Sequence, residues 1–232
     1  MVAADRGSRI ALLAGLIVGR PALGAAMQGA LENGQGSRHR LELQAFLGSS
    51  LSLPSPVSIS QSGQPTLRFT GHWATRPFLD TWYYAGRLGL WKGDKGWLLD
   101  FIHHKIYLID RPALVQRFQI TNGMNEITVS RAFRHKHLSY AFGAGPLIAA
   151  PLSTIRGQHR PYGGGFFDRY FLAGGTLMSS VTRSFPLRLG VSLLLDGRVS
   201  ASYGRVPVAN GHGSFLNIAL HFHAGLGLTP PF

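Results

Sequence analysis

Residues 100–107 carry an aspartate, two adjacent histidines, a lysine and a tyrosine. Imidazole and carboxylate groups suit iron or copper, so His103 and His104 could bind such an ion together. A third ligand would come from His72 or Asp100. Neighbouring residues on a β-strand point to opposite faces, however, and the two histidines could share one ion only if the strand carried a bulge. We therefore predict no metal ligands here and treat the segment as a candidate catalytic site.

The other candidates for ligand contact are arginines scattered through predicted loops. A guanidinium group pairs with phosphate through two parallel hydrogen bonds, so these loops suit a phosphorylated ligand. The same cations would also hold the chain against an anionic membrane leaflet without any chemistry. The candidate substrate-binding residues are Arg68, Arg76, Arg111, Arg117, Arg156 and Arg160.

The catalytic candidates lie on a predicted hairpin whose turn is the sequence Lys-Gly-Asp-Lys at residues 92–95. A turn of this composition between two β-rich segments, 82–91 and 96–108, is typical of a tight hairpin. Pairing of Trp91 with Gly96 would fix the register of both strands. The register then gives two opposite pairs on one strand face, Arg87 with Asp100 and Tyr83 with His104.

The two faces of this hairpin predict a barrel in a membrane. The face opposite the Arg87–Asp100 pair is apolar, with His103 as its one polar member: Tyr84, Leu88, Leu90, Leu99, Phe101 and Ile106. A polar inside and an apolar outside suit a barrel whose exterior contacts lipid. The alternative is a soluble ligand-binding barrel of eight strands. It would place mostly apolar faces in a lumen that holds little more than side chains.

Alternation of apolar and polar residues predicts eight strands. The predicted fold is all-β: an eight-stranded antiparallel up-and-down transmembrane β-barrel with short periplasmic turns and long extracellular loops. The strands are 39–49, 82–91, 96–108, 125–134, 138–148, 169–182, 187–203 and 215–228. The short turns are 92–95, 135–137 and 183–186. The long loops are 50–81, which contains a strand-like segment at 66–74, and 109–122, 149–168 and 204–213.

The lumen of the predicted barrel collects ionisable side chains. Buried charges need partners, so we interpret them as a network that fills the lumen and leaves no open pore. His221 and His223 share one strand face, a spacing that would suit a metal. Their position low in the barrel favours a hydrogen-bonded network instead. The predicted charged members are Glu42, Arg87, Asp100, Glu126, Arg134, Arg188, Asp196 and Arg198.

The first residues have the order of a secretory signal. Arg6 and Arg9 precede the apolar run 10–18, and small residues follow up to Ala26. The run is shorter than the ~20 residues that a membrane-spanning helix needs. We predict a signal peptide over residues 1–26, a flexible periplasmic leader over 27–38 and the barrel over 39–232.

The composition narrows the range of partners. The 232 residues include no cysteine, so neither disulfides nor thiolate metal sites form. Only 14% of the residues are charged, yet the formal net charge is +13. A basic chain could bind nucleic acid, but its arginines are dispersed and no nucleic-acid motif is present. Anionic lipid or a phosphorylated glycolipid is therefore the expected partner.

Part of the sequence resembles the lipid A oxidase-like outer-membrane proteins of rhizobia and related bacteria. Order and spacing agree across residues 65–145. The matching residues are Trp73, Pro77, Phe78, Tyr83, Tyr84, Arg87, Asp100, Phe101, His103, Lys105, Tyr107, Thr121, Gly123 and Asn125. The resemblance implies an eight-stranded barrel that oxidises the proximal glucosamine of lipid A to an aminogluconate unit, using oxygen.

An enzyme that acts on lipid A must work at the outer leaflet, so its site belongs at the loop end of the barrel. The candidate catalytic residues are His103, Lys105, Asp100 and Tyr83, and the cofactor is unidentified. We expect a monomer in the cell outer membrane that modifies lipid A of lipopolysaccharide and does not bind nucleic acid. The alternative is a non-catalytic barrel with a structural or surface-interaction role, bound to lipopolysaccharide.

Overall fold

A computed structural model describes residues 39–79, 82–163 and 165–230. The predicted signal peptide and leader lie outside these residues. The described part is almost entirely β, and none of its helices is long and apolar enough to cross a membrane. The elements are β1 (His39–Ser52), β2 (Ser55–Gln61), β3 (Leu67–Ala74), β4 (Tyr84–Lys92), β5 (Lys95–Ile109), β6 (Val115–His135), β7 (Leu138–Ile155), β8 (Gln158–Arg160), α1 (Phe166–Arg169), β9 (Phe171–Pro186), β10 (Val191–Val208) and β11 (Gly211–Leu228).

Eight of the strands close into a ring. The order around the ring is β1, β4, β5, β6, β7, β9, β10 and β11, and β11 pairs again with β1. The predicted eight-stranded barrel is therefore confirmed. The predicted register of the first hairpin is also confirmed, because Trp91 lies opposite Gly96 and Arg87 lies opposite Asp100. Gly93 in the turn has a φ of 58°, which glycine adopts without strain.

The connections at the outer end are long, as predicted, but most of their length is strand. Within the predicted loop 50–81, β2 and β3 form a hairpin that joins the ring. It pairs on one side with the start of β11, where Val57 faces Phe215, and on the other with the end of β5, where Ala74 faces Tyr107. This hairpin therefore continues the wall above β1 and β4.

Around the lower part of the barrel, the exterior is apolar and the interior is largely polar, with two small apolar clusters. Leu220 and Phe222 are 36% and 57% exposed, whereas His221 between them is fully buried. On β10 the exposed apolar residues extend from Leu193 to Tyr203, about 33 Å along the strand at ~3.3 Å per residue. At a tilt of about 40°, this run crosses about 25 Å, the height of the lipid-facing band of outer-membrane barrels. We call this part of the barrel the membrane half.

Above the membrane half, the polarity of the inner and outer faces is reversed. The interior is an apolar core built from side chains that include Val57, Ile59, Trp73, Ile106, Leu108, Phe118, Ile120, Met124, Val206 and Phe215. The exterior is polar, with exposed Arg68, Thr70, His72, Gln116, Arg117 and Arg205. An apolar interior with a polar exterior is the arrangement expected in water. We call this part of the barrel the outer half.

Two predicted orientations are wrong. Ile106 was expected outside, but it lies two residues from His104 on the inner face and is buried in the apolar core. Arg188 was expected in the lumen, but β10 begins only at Val191, and Arg188 lies in the exposed turn before it. Leu189 and Gly190 in that turn both have positive φ, which ends the extended strand.

Candidate functional site

The outward face of β5 carries three of the residues that the sequence singled out. His103, Lys105 and Tyr107 alternate with three inward residues, His104, Ile106 and Leu108. His103 and His104 therefore point to opposite sides of the barrel wall. Among residues 39–79, 82–163 and 165–230, no three His, Asp or Glu side chains are arranged to hold a metal.

A row of polar side chains crosses three strands at His103. Tyr84 of β4 lies opposite His103, which lies opposite Asn125 of β6. The His103 ring stacks on the Tyr84 ring at 5.0 Å and 11°. His103 Nδ1 donates a hydrogen bond to Asn125 Oδ1 at 2.8 Å. This bond leaves the lone pair on Nε2, and Nε2 is buried without a hydrogen-bond partner. We call Tyr84, His103, Lys105 and Asn125 the lateral site.

The strands on both sides of Lys105 are irregular. On β6, residues 121–123 bulge out between the pairs His104–Met124 and Ile106–Ile120. On the other side, Ala74 pairs with Tyr107 and Tyr84 pairs with His103. Nine residues connect Ala74 to Tyr84, whereas only three residues of β5 lie between their partners. Lys105 is buried beneath this connection and donates a hydrogen bond to the backbone carbonyl of Leu79. Bulges of this kind re-aim side chains and are common beside active sites.

The bulge on β6 explains the spacing Thr121-x-Gly123-x-Asn125. Gly123 has a φ of 119°, and a Cβ there would lie 2.7 Å from the Asn125 amide. Glycine is therefore required for Asn125 to reach His103. Thr121 hydrogen-bonds to the Tyr162 hydroxyl, and the Tyr170 hydroxyl donates to the Asn122 carbonyl at 2.8 Å. The segment after β8 thus fixes the bulge from outside.

A cationic pocket lies directly above the lateral site. It has a volume of about 350 Å³ and is lined by residues that include Arg76, Tyr107, Asp110, Arg111, Phe118 and Gln119. The Arg76 guanidinium lies 5.0 Å from the centre of the Tyr107 ring. Arg117 Nε donates to Gln119 Oε1 at 2.9 Å. Three of the six predicted substrate-binding arginines, Arg76, Arg111 and Arg117, are therefore at or beside this pocket.

The other three predicted arginines lie elsewhere. Arg156 donates to Gln61 Oε1 at 2.8 Å and to the Pro65 carbonyl at 2.7 Å, so it braces the β2–β3 hairpin. Arg160 donates to the Pro161 carbonyl at 3.2 Å. Arg68 is exposed on the outside of β3. The structure does not bring these three arginines to the lateral site.

Asp100 and Tyr83, the other two predicted catalytic residues, are inside the lumen. Asp100 Oδ1 accepts from Arg87 Nε at 2.6 Å and from Arg198 Nη1 at 3.0 Å. The Tyr83 hydroxyl hydrogen-bonds to His221 Nδ1 at 2.6 Å and to His223 Nε2 at 2.9 Å. The barrel wall therefore separates Asp100 and Tyr83 from His103 and Lys105.

The lumen of the membrane half contains one connected polar network, beside which apolar side chains such as Phe46 and Met178 pack. Asp196 accepts from Arg87 at 3.2 Å, Arg198 at 2.5 Å, Thr182 at 2.6 Å and His223 at 3.0 Å. Higher up, Glu126 accepts from Ser200 at 3.0 Å and Ser202 at 2.9 Å. His221 and His223 belong to this network, as the sequence indicated.

Tyr84 and Asn125 were not among the predicted site residues. Asn125 had a recognisable signal, because it is a polar residue in register with the outward apolar residues Ile127 and Val129. Tyr162 and Tyr170 carried no such signal. They reach the site from a segment that is distant in sequence and has no regular pattern.

The closed ring, the apolar exterior of the membrane half and the polar lumen define a transmembrane β-barrel of the bacterial outer membrane. No family model matches the sequence, and no curated protein is significantly similar to it.

Among solved structures, the chain is similar to the outer-membrane protein OprG of Pseudomonas aeruginosa, with 7% identity and a TM-score of 0.47, covering 84% of this chain and 98% of OprG. It is also similar to the outer-membrane protein AlkL, with 7% identity and a TM-score of 0.45, covering 87% and 94%. Neisserial surface protein A shares 12% identity at a TM-score of 0.38, covering 82% and 96%.

Proposed function

We propose that this barrel modifies lipid A in the outer leaflet by oxidising the proximal glucosamine. The observation that carries the proposal is His103, a buried imidazole on the lipid-facing wall whose Nε2 has no partner. An imidazole held in one tautomer with a free lone pair is suited to accept a proton, once a bound sugar displaces the side chains that cover Nε2. Its position below a pocket lined by Arg76 and Arg111 suits a glycolipid that carries phosphate.

The reaction is a two-electron oxidation at C1 of a glucosamine whose C1 hydroxyl is free, so the phosphate that suits the arginines belongs to the other sugar of the disaccharide. His103 Nε2 accepts the hydroxyl proton, and the C1 hydrogen and its two bonding electrons reduce oxygen overall. The proton on His103 passes to the reduced oxygen, so that hydrogen peroxide forms and the imidazole is restored. The resulting lactone is opened by water to the aminogluconate unit, so the lipid gains one oxygen atom. The Lys105 ammonium is buried on the same strand face and is bonded to the Leu79 carbonyl, and its positive charge would stabilise negative charge that develops on the sugar oxygen.

A second candidate function is a non-catalytic barrel that is held in the lipopolysaccharide leaflet. The observation in its favour is that Asp100 and Tyr83 belong to the lumen network, where their hydrogen bonds explain them without catalysis. Cationic side chains at the outer end would attract anionic lipid in either case.

Mass spectrometry of lipid A from cells with and without the gene tests the proposal. We expect the gain of one oxygen atom on the proximal sugar only when the gene is present. His103→Ala and Lys105→Ala should abolish the product while the barrel still assembles. His72→Ala, which removes an exposed histidine from β3, is the matched control and should retain it.

Two results would contradict the proposal at different levels. Identical lipid A with and without the gene would remove the oxidation and leave the non-catalytic candidate. Unaltered product from both His103→Ala and Lys105→Ala would remove the lateral site while retaining the reaction. Heat-dependent migration on a gel reports assembly of each variant.

A further inference from the structure

The outward face of β5 changes its chemistry in one direction along the strand. At the outer end, Tyr107 lines the cationic pocket. His103 and Lys105 follow, and Phe101 and Leu99 continue towards the membrane interior. Successive outward residues are about 6.6 Å apart, so Tyr107 and Phe101 are separated by about 20 Å. The order from outside to inside is cationic, polar and apolar.

An apolar groove begins one residue pair below the lateral site. Its volume is about 620 Å³, and the residues that line it include Leu43, Ala45, Gly86, Phe101, Leu226 and Leu228. Gly86 lies directly opposite Phe101, and each is two residues from the Tyr84–His103 pair. The groove is thus adjacent to the lateral site along both β4 and β5.

Gly86 makes the groove deep, and the fold does not require glycine at this position. A Cβ on Gly86 would meet only the backbone oxygen of Gln44, at 3.9 Å. The position therefore tolerates a side chain, and Ala45 beside it is also small. Leu43, Leu88 and Leu99 around these two residues are exposed, so the small residues leave a depression in the lipid-facing wall.

We infer that this groove binds one acyl chain of the glycolipid whose sugar contacts His103. The inference rests on the proposed function for the identity of the head group, and it adds the acyl chain as a recognised part of the ligand. The groove lies within the apolar band, where hydrocarbon is the surrounding medium. Its position next to the polar lateral site matches the order of polar head group and acyl chain in an outer-leaflet lipid.

Filling the groove tests the inference. Gly86→Leu and Ala45→Leu each introduce a side chain into the depression, whereas Gly197→Leu adds the same side chain on the exterior of β10. Gly197 is the matched control, because it is exposed and a Cβ there meets nothing within 4 Å. Native mass spectrometry of the purified barrels would measure the binding of lipid A and of the phosphorylated disaccharide without acyl chains.

We expect Gly86→Leu and Ala45→Leu to weaken lipid A binding about tenfold, because the added side chain takes the space of the acyl chain and removes about ten of its carbon–carbon contacts with the wall. Gly197→Leu should bind lipid A like the unmodified barrel, and no variant should change binding of the deacylated disaccharide. Equal lipid A binding by all barrels would overturn the inference. A barrel dimer that dissociates in Gly86→Leu would also overturn it, because the groove would then hold a second copy.

The inference and the proposed function can fail separately. If the unmodified barrel yields no oxidised lipid A but binds it in the pattern above, the reaction is wrong and the acyl-chain site stands. If Gly86→Leu and the unmodified barrel oxidise lipid A equally and bind it equally, the acyl-chain site is wrong and the reaction stands.

Discussion

The membrane half and the outer half of this barrel have opposite interiors. In the membrane half, Arg87, Asp100, Asp196 and Arg198 form buried ion pairs. In the outer half, the same lumen is closed by aromatic and aliphatic side chains, with Trp73 6.2 Å from Phe118 and 6.1 Å from Phe215 between ring centres. The exteriors differ in the reverse sense, apolar below and polar above.

The solvent outside each half explains the difference. Facing water, an apolar side chain gains free energy by entering the lumen, so the outer half folds like a soluble barrel. Facing hydrocarbon, the same side chain gains little by moving inside, and polar groups that cannot face lipid occupy the lumen instead. Those polar groups must then satisfy one another, which produces the connected network.

The lateral site lies where the two halves meet. On the inner face of β5, His104 belongs to the polar network and Ile106 belongs to the apolar core. Lys105 lies between them and points outward. At this level β6 bulges, and the neighbour of β5 on the other side changes from β3 to β4. Outer-leaflet head groups would lie at this level, because the apolar exterior ends here.

The largest effect should come from removing a charge in the membrane half. Asp196→Ala leaves Arg87 and Arg198 with one buried carboxylate between them, so we expect a loss of about 3–5 kcal/mol in the free energy of unfolding. Phe118→Ala in the outer core should cost about 3–4 kcal/mol. Urea titration measures both variants, and hydrogen exchange should show that Phe118→Ala loosens the outer half first.

The matched control for Asp196→Ala is Asp94→Ala, which removes an exposed carboxylate from the turn between β4 and β5. Its free energy of unfolding should change by less than about 0.5 kcal/mol. If Asp196→Ala proves as mild as Asp94→Ala, the ion pairs are not what organises the membrane half.

The boundary between the halves can be located by introducing arginine at two heights on the exterior of the barrel. Leu195→Arg places a cation in the apolar band, and we expect it to lower the free energy of unfolding in bilayers by about 2–4 kcal/mol. Thr70→Arg places the same side chain on the exterior of the outer half and should cost less than about 0.5 kcal/mol. Equal costs at both positions would contradict a boundary between hydrocarbon and water.

The sequence predicted the membrane half much better than the outer half. Throughout the lipid-facing strands, apolar residues face outward and polar residues face inward, as Leu220, His221 and Phe222 show. In the outer half, Val57 and Ile59 alternate with serines in the same way, but their apolar face is the inner one. Glycine, proline and serine around such segments are typical of loops. Because of these residues, and because the inner and outer faces are reversed, the sequence predicted loops where the outer half has strands.

The lateral site could be predicted only in part. His103 and Lys105 were identified by residue type, and their shared face follows from their spacing of two. Asp100 and Tyr83 point inward. For Asp100 the spacing on β5 also indicates this, because Asp100 is three residues from the outward His103. The contacts of Arg156 with the β2–β3 hairpin, and of Tyr162 and Tyr170 with the bulge, join positions that are far apart in sequence. No local pattern encodes such contacts.

The smallest effect on stability, with the sharpest effect on the site, should come from Gly123→Ala at the junction of the two halves. The new Cβ would force Asn125 away from His103, and the backbone would keep a φ that alanine rarely adopts. We expect a loss of about 1–2 kcal/mol in the free energy of unfolding. In spectra of ¹⁵N-labelled histidine, His103 should lose its single Nδ1-protonated tautomer, because Asn125 no longer selects it.

Gly63→Ala separates the backbone effect from the effect on the site. Gly63, in the turn between β2 and β3, also has a positive φ, but a Cβ there meets nothing within 4 Å. It should show comparable backbone strain and an unchanged His103 signal. If Gly123→Ala also leaves the His103 tautomer and the proposed lipid A oxidation unchanged, then the bulge on β6 serves only to join two halves of opposite polarity, and Asn125 has no part in positioning His103.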